Sequence, residues 1–383
     1  MSKNRLFLLD AYSLIFRGYY AFIKNPRINS KGMDTSAILG FTNSLFDVIK
    51  KERPDHLAVA FDKGGSKFRN AIFSDYKANR SETPEAIKIA VPYIQQLLKA
   101  LHIPIIELEG FEADDIIGTL AKQAEKEFFE VFMVTPDKDF AQLVSENIFM
   151  YRPARMGNGI EIWGIPEVQK KFEITHPEQV IDYLGMMGDA VDNIPGLPGV
   201  GDKTAKKFLA QYGSMESLLA NTADLKGKMK EKIEANKELG LLSKKLARIM
   251  LDVPVQFDAN DYKLSDPDLP AVSELFQELE FRRLSETFIK VFKPAEATTE
   301  VTKSETKAAA VAFDLFNQPG SGQIENLSAV KSLDNVLHHY QCVQTELERN
   351  LLLQTMQRQK SVCFDTETTG LDAVSCIACW HRI

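Results

Sequence analysis

Two features that the sequence lacks limit what the protein can be. No apolar run approaches the roughly 20 residues that a membrane-spanning helix needs, so the sequence predicts no membrane partner and a place in the cytoplasm. The main body has no cysteine, which excludes a disulfide framework there, and the last stretch holds Cys342, Cys363, Cys376 and Cys379. Cys376 and Cys379 form a lone CxxC, where a zinc or redox site remains an alternative.

The net charge of −7 is by itself unfavourable for binding a nucleic acid, whose phosphates attract Lys and Arg. An acidic cluster that holds metal ions would nevertheless lower this total without repelling DNA, and basic segments occur separately. The total charge therefore excludes no class of partner. The length of 383 residues predicts two compact units and a linker.

The first part of the chain alternates between apolar runs of strand length and stretches with helical spacing. Its basic start and first apolar run would also suit a signal peptide, but Asp10 interrupts the run and no small-residue cleavage site follows. The alternation predicts an α/β fold with a parallel sheet at residues 1–173. Strands are expected at Leu6–Leu9, Leu57–Phe61, Ile103–Glu107 and Val131–Val134, and helices at Thr35–Lys51, Pro84–Leu101 and Ala113–Lys126.

From about Pro166 the strand pattern fades, which predicts a helical domain at residues 174–292. Residues 293–328 follow without apolar periodicity and begin with a stretch rich in Ala, Thr, Glu and Lys, as is typical of a linker. Residues 329–383 have the pattern of the start of another domain. In the helical domain, helices are expected at Pro177–Met187, Lys203–Tyr212, Met215–Ala220, Met229–Lys245 and Pro270–Phe292.

Acidic residues follow each of the four predicted strands. In an open parallel sheet, ligands bind at the edge formed by the carboxyl ends of the strands. A single Asp there would be explained as a helix cap or turn former, but repetition favours metal binding, because packed carboxylates repel one another unless cations neutralise them. The acids at this edge are Asp10, Asp62, Glu112, Asp114, Asp115, Asp137 and Asp139.

A second acidic pair, Asp189 and Asp192, lies three residues apart and can face one direction, across the cleft from the first group. Oxygen-only ligands favour hard ions such as Mg²⁺ or Mn²⁺, and this set can flank two or more of them. Paired ions activate a water and stabilise the leaving oxygen in phosphodiester hydrolysis. For Glu112, Asp114 and Asp115, which open a helix, complementing the helix dipole remains an alternative.

The segment IPGLPGVGDKTAKKF places glycine turns just before a predicted helix. Gly196, Gly199 and Gly201 allow tight turns whose bare N–H groups can bind an anion, although a purely structural turn is the alternative. These turns and the cations after them suit a phosphate backbone and carry no base-reading group, which predicts sequence-independent duplex binding. The further candidates in this segment are Lys203, Thr204, Lys206 and Lys207.

A second basic stretch, KFRNAIFSDYKANR, alternates cations with aromatic residues. Beside a metal cluster, its cations can hold the scissile phosphate and its rings can stack an unpaired base, whereas a solvated charged face is the alternative. Arg17, close to two tyrosines in the sequence, can join this group. The candidates are Arg17, Arg69, Tyr76, Lys77 and Arg80.

These motifs resemble, in order over roughly residues 1 to 290, the flap endonuclease superfamily, and within it the N-terminal 5′ nuclease region of bacterial DNA polymerase I. The matching segments include LLDAYSLIFRGYYAF, VAFDKGGSKFRN, DYKANR, GFEADDIIGTLA, VTPDKDFAQLV, GDAVDNIPGLPGVGDKTA and ELEFRRL. The resemblance implies a metal-dependent 5′–3′ exonuclease and 5′-flap endonuclease. It also implies the partners: duplex DNA with a 5′ end or flap and RNA-primed DNA, bound by a nucleoid-associated monomer.

The resemblance carries roles over to matching positions. It implies metal sites at the same nine acids, a helical arch that contains Lys77 and Arg80 and positions the 5′ strand, and a phosphate contact at Arg17. The glycine hairpin is similar to the family's helix-hairpin-helix, which often surrounds a monovalent cation such as K⁺. Gly18 and Tyr20 depart from the family pattern, which has Ala and His there.

The segment SVCFDTETTGLD resembles the first motif of a proofreading 3′–5′ exonuclease, with Asp365 and Glu367 as would-be metal ligands. Its remaining motifs are absent and the sequence after Asp372 departs from the family, so a truncation or a frameshift is expected, and 3′–5′ exonuclease or polymerase activity is not. The alternative to an active nuclease is a catalytically silent fragment that binds duplex DNA without cutting it.

Overall fold

The computed structural model describes residues 3–153 and 159–292, together with the helical residues Glu346, Asn350 and Gln354. The chain divides into two compact units, Met1–Val301 and Thr302–Ile383. Apart from those three residues, the described part belongs to the first unit. Within it, no helix combines the length and apolar character needed to span a bilayer. The predicted linker, the lone CxxC and the exonuclease-like segment lie outside the described residues.

A mostly parallel sheet of six strands occupies the centre of the first unit, in the order β3-β2-β1-β4-β5-β6. Strands β1 to β5 pair parallel with one another, and β6 pairs antiparallel with β5. The α/β prediction is thus confirmed, but β5 and β6 were not predicted and β3 begins two residues later than expected. The strands are β1 (Arg5–Asp10), β2 (His56–Lys63), β3 (Ile105–Glu109), β4 (Glu130–Val134), β5 (Ile148–Arg152) and β6 (Glu161–Trp163).

Helices cover both faces of this sheet, which explains why β1 is apolar at successive positions. Leu6 and Leu8 point into one hydrophobic core, which extends to the fifth helix, and Phe7 and Leu9 point into the other, which the first, second and fourth helices complete. The helices in this part are α1 (Ala11–Phe22), α2 (Ser36–Glu52), α3 (Lys67–Ile72), α4 (Glu85–Ala100), α5 (Ala113–Lys126) and α6 (Ile165–Phe172).

The rest of the first unit is helical, as predicted, but two of the predicted helices are each interrupted. Met229–Lys245 is divided at Asn236, whose backbone is not helical, and Pro270–Phe292 is divided near Glu280, whose φ is 62°. Apolar periodicity continues across both breaks, so it could not reveal them. These helices are α7 (Gln179–Met187), α8 (Asp202–Tyr212), α9 (Met215–Ala220), α10 (Gly227–Ala235), α11 (Lys237–Ala247), α12 (Ala259–Tyr262), α13 (Leu269–Glu278) and α14 (Arg282–Phe292).

One extended segment, residues 248–257, joins the helical part to the sheet part, and we call it the strap. It lies along one face of α5, where Asp115, Thr119 and Gln123 follow one another at four-residue spacing. Asp115 and Gln123 each accept a hydrogen bond from a strap N–H group at 2.8 Å, and Thr119 accepts another at 3.3 Å. The two parts share one hydrophobic core, so the predicted boundary after residue 173 stays a prediction.

Candidate functional site

The carboxyl ends of the strands open into a cleft of about 1750 Å³. The fold brings one acid from each of five segments to this cleft. They are Asp10 at the end of β1, Asp62 near the end of β2, Asp114 in the first turn of α5, Asp137 in the turn after β4 and Asp192 in the loop after α7. The predicted site residues that line the cleft are Asp10, Arg17, Asp62, Lys77, Arg80, Asp114, Asp137 and Asp192.

Asp10 is buried at the centre of the cleft floor, with 3% of its surface exposed. Its carboxylate accepts hydrogen bonds from the Ser13 N–H at 3.1 Å, which caps α1, and from the Thr135 hydroxyl at 3.0 Å. Burial and the nearby Asp62 nevertheless raise the pKa of Asp10 to about 6. The free carboxylate is therefore in an environment that disfavours its negative charge.

The neighbouring acids share this environment. Burial, together with Asp10, raises the pKa of Asp114 well above its usual value, and burial likewise raises the pKa of Asp62 and Asp137. Burial followed by Asp137 raises the pKa of Asp139 strongly, and the Asp139 Oδ1 atom is buried with no hydrogen-bond partner in the described structure. Oxygen atoms that lack both solvent and a partner fit a hard divalent cation.

Within residues 3–153 and 159–292, no three acids, histidines or cysteines lie close enough together to coordinate one metal ion in this conformation. Protein cations occupy the spaces between several of the acids. Lys77 Nζ lies 2.7 Å from Glu112 and Arg80 lies 2.5 Å from Asp192, while Lys138 lies 3.3 Å from Asp189. Lys138 was not predicted, although its position between two predicted ligands in the sequence could have revealed it.

Lys77 is half-buried and Arg80 is exposed, and both have acidic neighbours. Burial alone would lower the pKa of each, but Glu112 and Asp192 raise the pKa of Lys77, and Asp192 raises that of Arg80. The backbone N–H of Lys77, a residue with a φ of 57°, also donates to the Asp192 carbonyl at 2.9 Å. These contacts hold both cations charged at the entrance to the acidic cleft.

Arg69 and Tyr76, predicted to contact DNA, are instead buried in the protein, with 3% and 6% of their surface exposed. Arg69 makes a bidentate ion pair with Asp115 at 2.7 and 2.8 Å and also contacts Glu112 at 3.2 Å. The Tyr76 hydroxyl donates to Glu112 at 3.1 Å. Asp115 is fully buried and is not among the residues that line the cleft, and both its oxygens have protein partners.

Arg17 and the two departures from the family pattern lie along α1. Arg17 lines the cleft and donates to the Ser44 hydroxyl at 3.3 Å. Gly18 lets α1 approach α2 closely, since a Cβ atom on Gly40 would lie 2.3 Å from the Gly18 Cα. Tyr20 is 56% exposed at the cleft, and its ring stacks on Phe16 at 6.2 Å.

The glycine hairpin forms the predicted turn before α8. Gly196 and Gly199 have φ values of 67° and 89°, which favour glycine, and Gly201 caps α8, which begins one residue before the predicted start. Lys203 and Lys207 are exposed beside a small cavity, whereas Lys206 pairs with acidic neighbours at 3.3 Å. The Thr204 N–H is bonded within the turn. The geometry thus leaves two of the predicted lysines open to an anion.

Two family models cover most of the described chain. Residues 5–180 match the 5′-3′ exonuclease N-terminal resolvase-like domain, and residues 175–270 match the 5′-3′ exonuclease C-terminal SAM fold. The chain belongs to the 5′-3′ exonuclease family. Among its relatives, the 5′-3′ exonuclease of Aquifex aeolicus strain VF5 is 40% identical over 290 residues, which are 76% of this chain and 97% of that protein.

Longer relatives contain this region as one part. DNA polymerase I of Bacillus caldotenax is 40% identical over 318 residues, which are 82% of this chain and 35% of that protein. DNA polymerase I of Bacillus subtilis strain 168 is 38% identical over 328 residues, 85% of this chain and 37% of that protein. The chain therefore spans about a third of the length of these polymerases.

Solved structures share the fold at low sequence identity. The T5 5′-exonuclease with bound zinc matches with a TM-score of 0.54 and 19% identity, over 76% of this chain and 100% of that chain. The catalytic core of Rad2 in complex with a DNA substrate matches with a TM-score of 0.53 and 17% identity, over 76% of this chain and 92% of that chain. These matches confirm the predicted sheet and helical parts.

Proposed function

We propose that the protein is a divalent-metal-dependent 5′–3′ exonuclease and 5′-flap endonuclease, which hydrolyses phosphodiester bonds of DNA in primer removal and repair. The observation that carries this proposal is the set of buried and half-buried carboxylates with raised pKa values in and beside the cleft, among them Asp10, Asp114 and Asp139. A protein keeps such groups together when cations neutralise them. The reaction, hydrolysis of DNA phosphodiester bonds, is inferred from membership of the 5′-3′ exonuclease family.

The acids in and beside the cleft that have no ion pair with a cation in the described part of the chain are the metal ligands that the geometry favours. Asp10, Asp62, Asp114, Asp137 and Asp139 would hold two or more Mg²⁺ or Mn²⁺ ions, with Asp189 and Asp192 facing them. Bound ions of this kind lower the pKa of a water and stabilise the leaving oxygen. For Glu112 and Asp115 the sequence predicted direct ligation, but their contacts with Arg69 favour an indirect role.

The chain's own cations would hold the substrate. Arg17, Lys77 and Arg80 line the cleft, where they can contact the scissile phosphate and the 5′ strand. Asp192, which pairs with Arg80 and also lies 3.6 Å from Lys77, would become less available to them as metal ions bind, and both cations could then contact phosphate. Binding of metal and binding of DNA would therefore favour one another.

The duplex would lie on the hairpin before α8, where exposed Lys203 and Lys207 contact its backbone without reading bases. We also propose that this hairpin binds a monovalent cation such as K⁺ and that the protein is a monomer. Its substrates would be DNA with a 5′ end, a 5′ flap or an RNA primer. Such an enzyme would act on chromosomal DNA in the cytoplasm.

The test is cleavage of a 5′-labelled flap duplex in Mg²⁺, with a 3′-labelled duplex as the control for the opposite polarity. Asp114→Asn should abolish cutting near the junction, because it removes a cleft carboxylate while leaving the Arg69–Asp115 pair intact. Asp252→Asn is the matched control, since Asp252 is exposed. A wild-type protein that shifts the duplex in a gel without cutting it would instead be a silent DNA-binding fragment, and the proposal would fail.

A further inference from the structure

Besides its ion pair with Asp115, Arg69 donates hydrogen bonds to two backbone carbonyls in a distant part of the chain. Its Nε atom donates to the Leu246 carbonyl at 3.0 Å, and its Nη2 atom donates to the Arg248 carbonyl at 2.9 Å. Both carbonyls lie where α11 ends and the strap runs toward α5. Because the guanidinium is planar and its donors are fixed in direction, these bonds and the carboxylate bonds together define one orientation.

The acceptors of Arg69 belong to two regions with different proposed tasks. Glu112 and Asp115 lie at the first turn of α5, which also carries the cleft acid Asp114. Leu246 and Arg248 follow the helices that contain the duplex-binding hairpin. The same first turn is fixed a second time, because the Met250 N–H of the strap donates to Asp115 Oδ1 at 2.8 Å.

We propose that Arg69 is a positioning residue for the metal site. By holding Glu112 and Asp115 on one side and the end of α11 on the other, it fixes the first turn of α5 relative to the duplex-binding helices. Asp114 then faces the cleft at a constant distance from the bound DNA. This inference rests on the proposed nuclease function, because it concerns the ions and the duplex that such an enzyme uses.

A purely structural ion pair would predict a different response to substitution. A buried ion pair can often be replaced by apolar residues of similar volume without loss of stability, because the desolvation cost of the charges disappears with them. The double variant Arg69→Met with Asp115→Leu removes both charges, but it also leaves the Leu246 and Arg248 carbonyls and the Met250 N–H without these partners, so we expect it to remain less stable than the wild type. Metal binding in this variant would be weakened by loss of positioning and equally by loss of Asp115 as a ligand, so a variant that keeps Asp115 is needed to decide between the two roles.

Arg69→Lys provides a second variant that keeps the positive charge. An ammonium group cannot reproduce the two parallel bonds to Asp115 and reach both backbone carbonyls. We expect this variant to fold and to bind Mn²⁺ about tenfold to a hundredfold more weakly, the range found when partners of metal ligands are removed. Arg5→Lys is the matched control, because Arg5 pairs with Glu52 at 3.4 Å and does not line the cleft.

The experiment measures Mn²⁺ binding by electron paramagnetic resonance on the DNA-free protein, with thermal melting in EDTA alongside. Support consists of a cooperative melt together with weakened Mn²⁺ binding in Arg69→Lys, the variant that keeps Asp115. If either variant folds and binds Mn²⁺ like the wild type, Arg69 is structural only and the inference is wrong. If the wild type itself binds no Mn²⁺, the proposed nuclease function fails first, so the two failures are distinguishable.

Discussion

Asp10→Asn should stabilise the metal-free protein at alkaline pH. The folded pKa of Asp10 is about 6, raised from 3.8, so folding favours the neutral carboxyl. That favourable contribution is complete below pH 3.8 and is lost as the pH rises through 6. At pH 8 the ionised carboxylate costs about 3 kcal/mol, at about 1.4 kcal/mol per pKa unit. Asparagine avoids this cost and remains a good N-cap, so it keeps the bond from the Ser13 N–H.

Thermal melting in EDTA measures this effect. About 3 kcal/mol corresponds to a rise in Tm on the order of 5 °C at pH 8 for a folded unit of this size, and to little change near pH 4. The variant should at the same time lose Mg²⁺-dependent cleavage, because a cleft ligand is missing. If Asp10→Asn melts at or below the wild-type temperature at pH 8, the ionised Asp10 carboxylate does not destabilise the metal-free protein and the prediction is wrong. A similar gain at pH 4 would refute the titration argument.

Three other predictions concern the metal, the helix packing and the duplex. Raising the pH from 5 to 8 should tighten Mg²⁺ binding, measured by calorimetry, because the raised pKa values of the cleft acids make protons compete with the ion; equal affinity at both pH values would contradict this. Gly40→Ala should destabilise the protein by about 1–3 kcal/mol in a denaturant titration, since its Cβ would overlap Gly18, whereas Gly159→Ala, with open space around it, should not. Lys203→Ala and Lys207→Ala should each lower the slope of log affinity against log salt for a duplex by about 0.9, and an unchanged slope would exclude a phosphate contact.

The sequence was sufficient to predict the first strands and the acids at their ends. β1, β2 and β4 are buried on both faces, so their apolar runs are nearly continuous, and Asp10, Asp62 and Asp137 lie at or just beyond the ends of those runs. The edge strand β6 is only three residues long and two of these are exposed to solvent, so its sequence gave no strand pattern. β5 lies between β4 and β6 and is apolar except for Arg152, and the prediction missed it.

The roles of individual cations could not be predicted in the same way. Arg69 and Lys77 occur in one basic stretch, and sequence alone gives them the same interpretation. The structure separates them, because a helix places Arg69 inside the protein against Asp115, and a turn with positive φ places Lys77 at the cleft. Such differences depend on contacts between residues distant in the sequence, as does the strap, and local composition does not record them.

The strap has a consequence for how the molecule opens. Its amides bond to side chains along α5, as a neighbouring strand would bond to a sheet, so the helical part cannot separate without breaking this row and exposing the shared core. Amide hydrogens of Met250, Val253 and Phe257 should then exchange with solvent only in openings that also release the β1 and β4 amides. The sheet and the helical part would form one cooperative folding unit, and a protease that cuts the strap would unfold both.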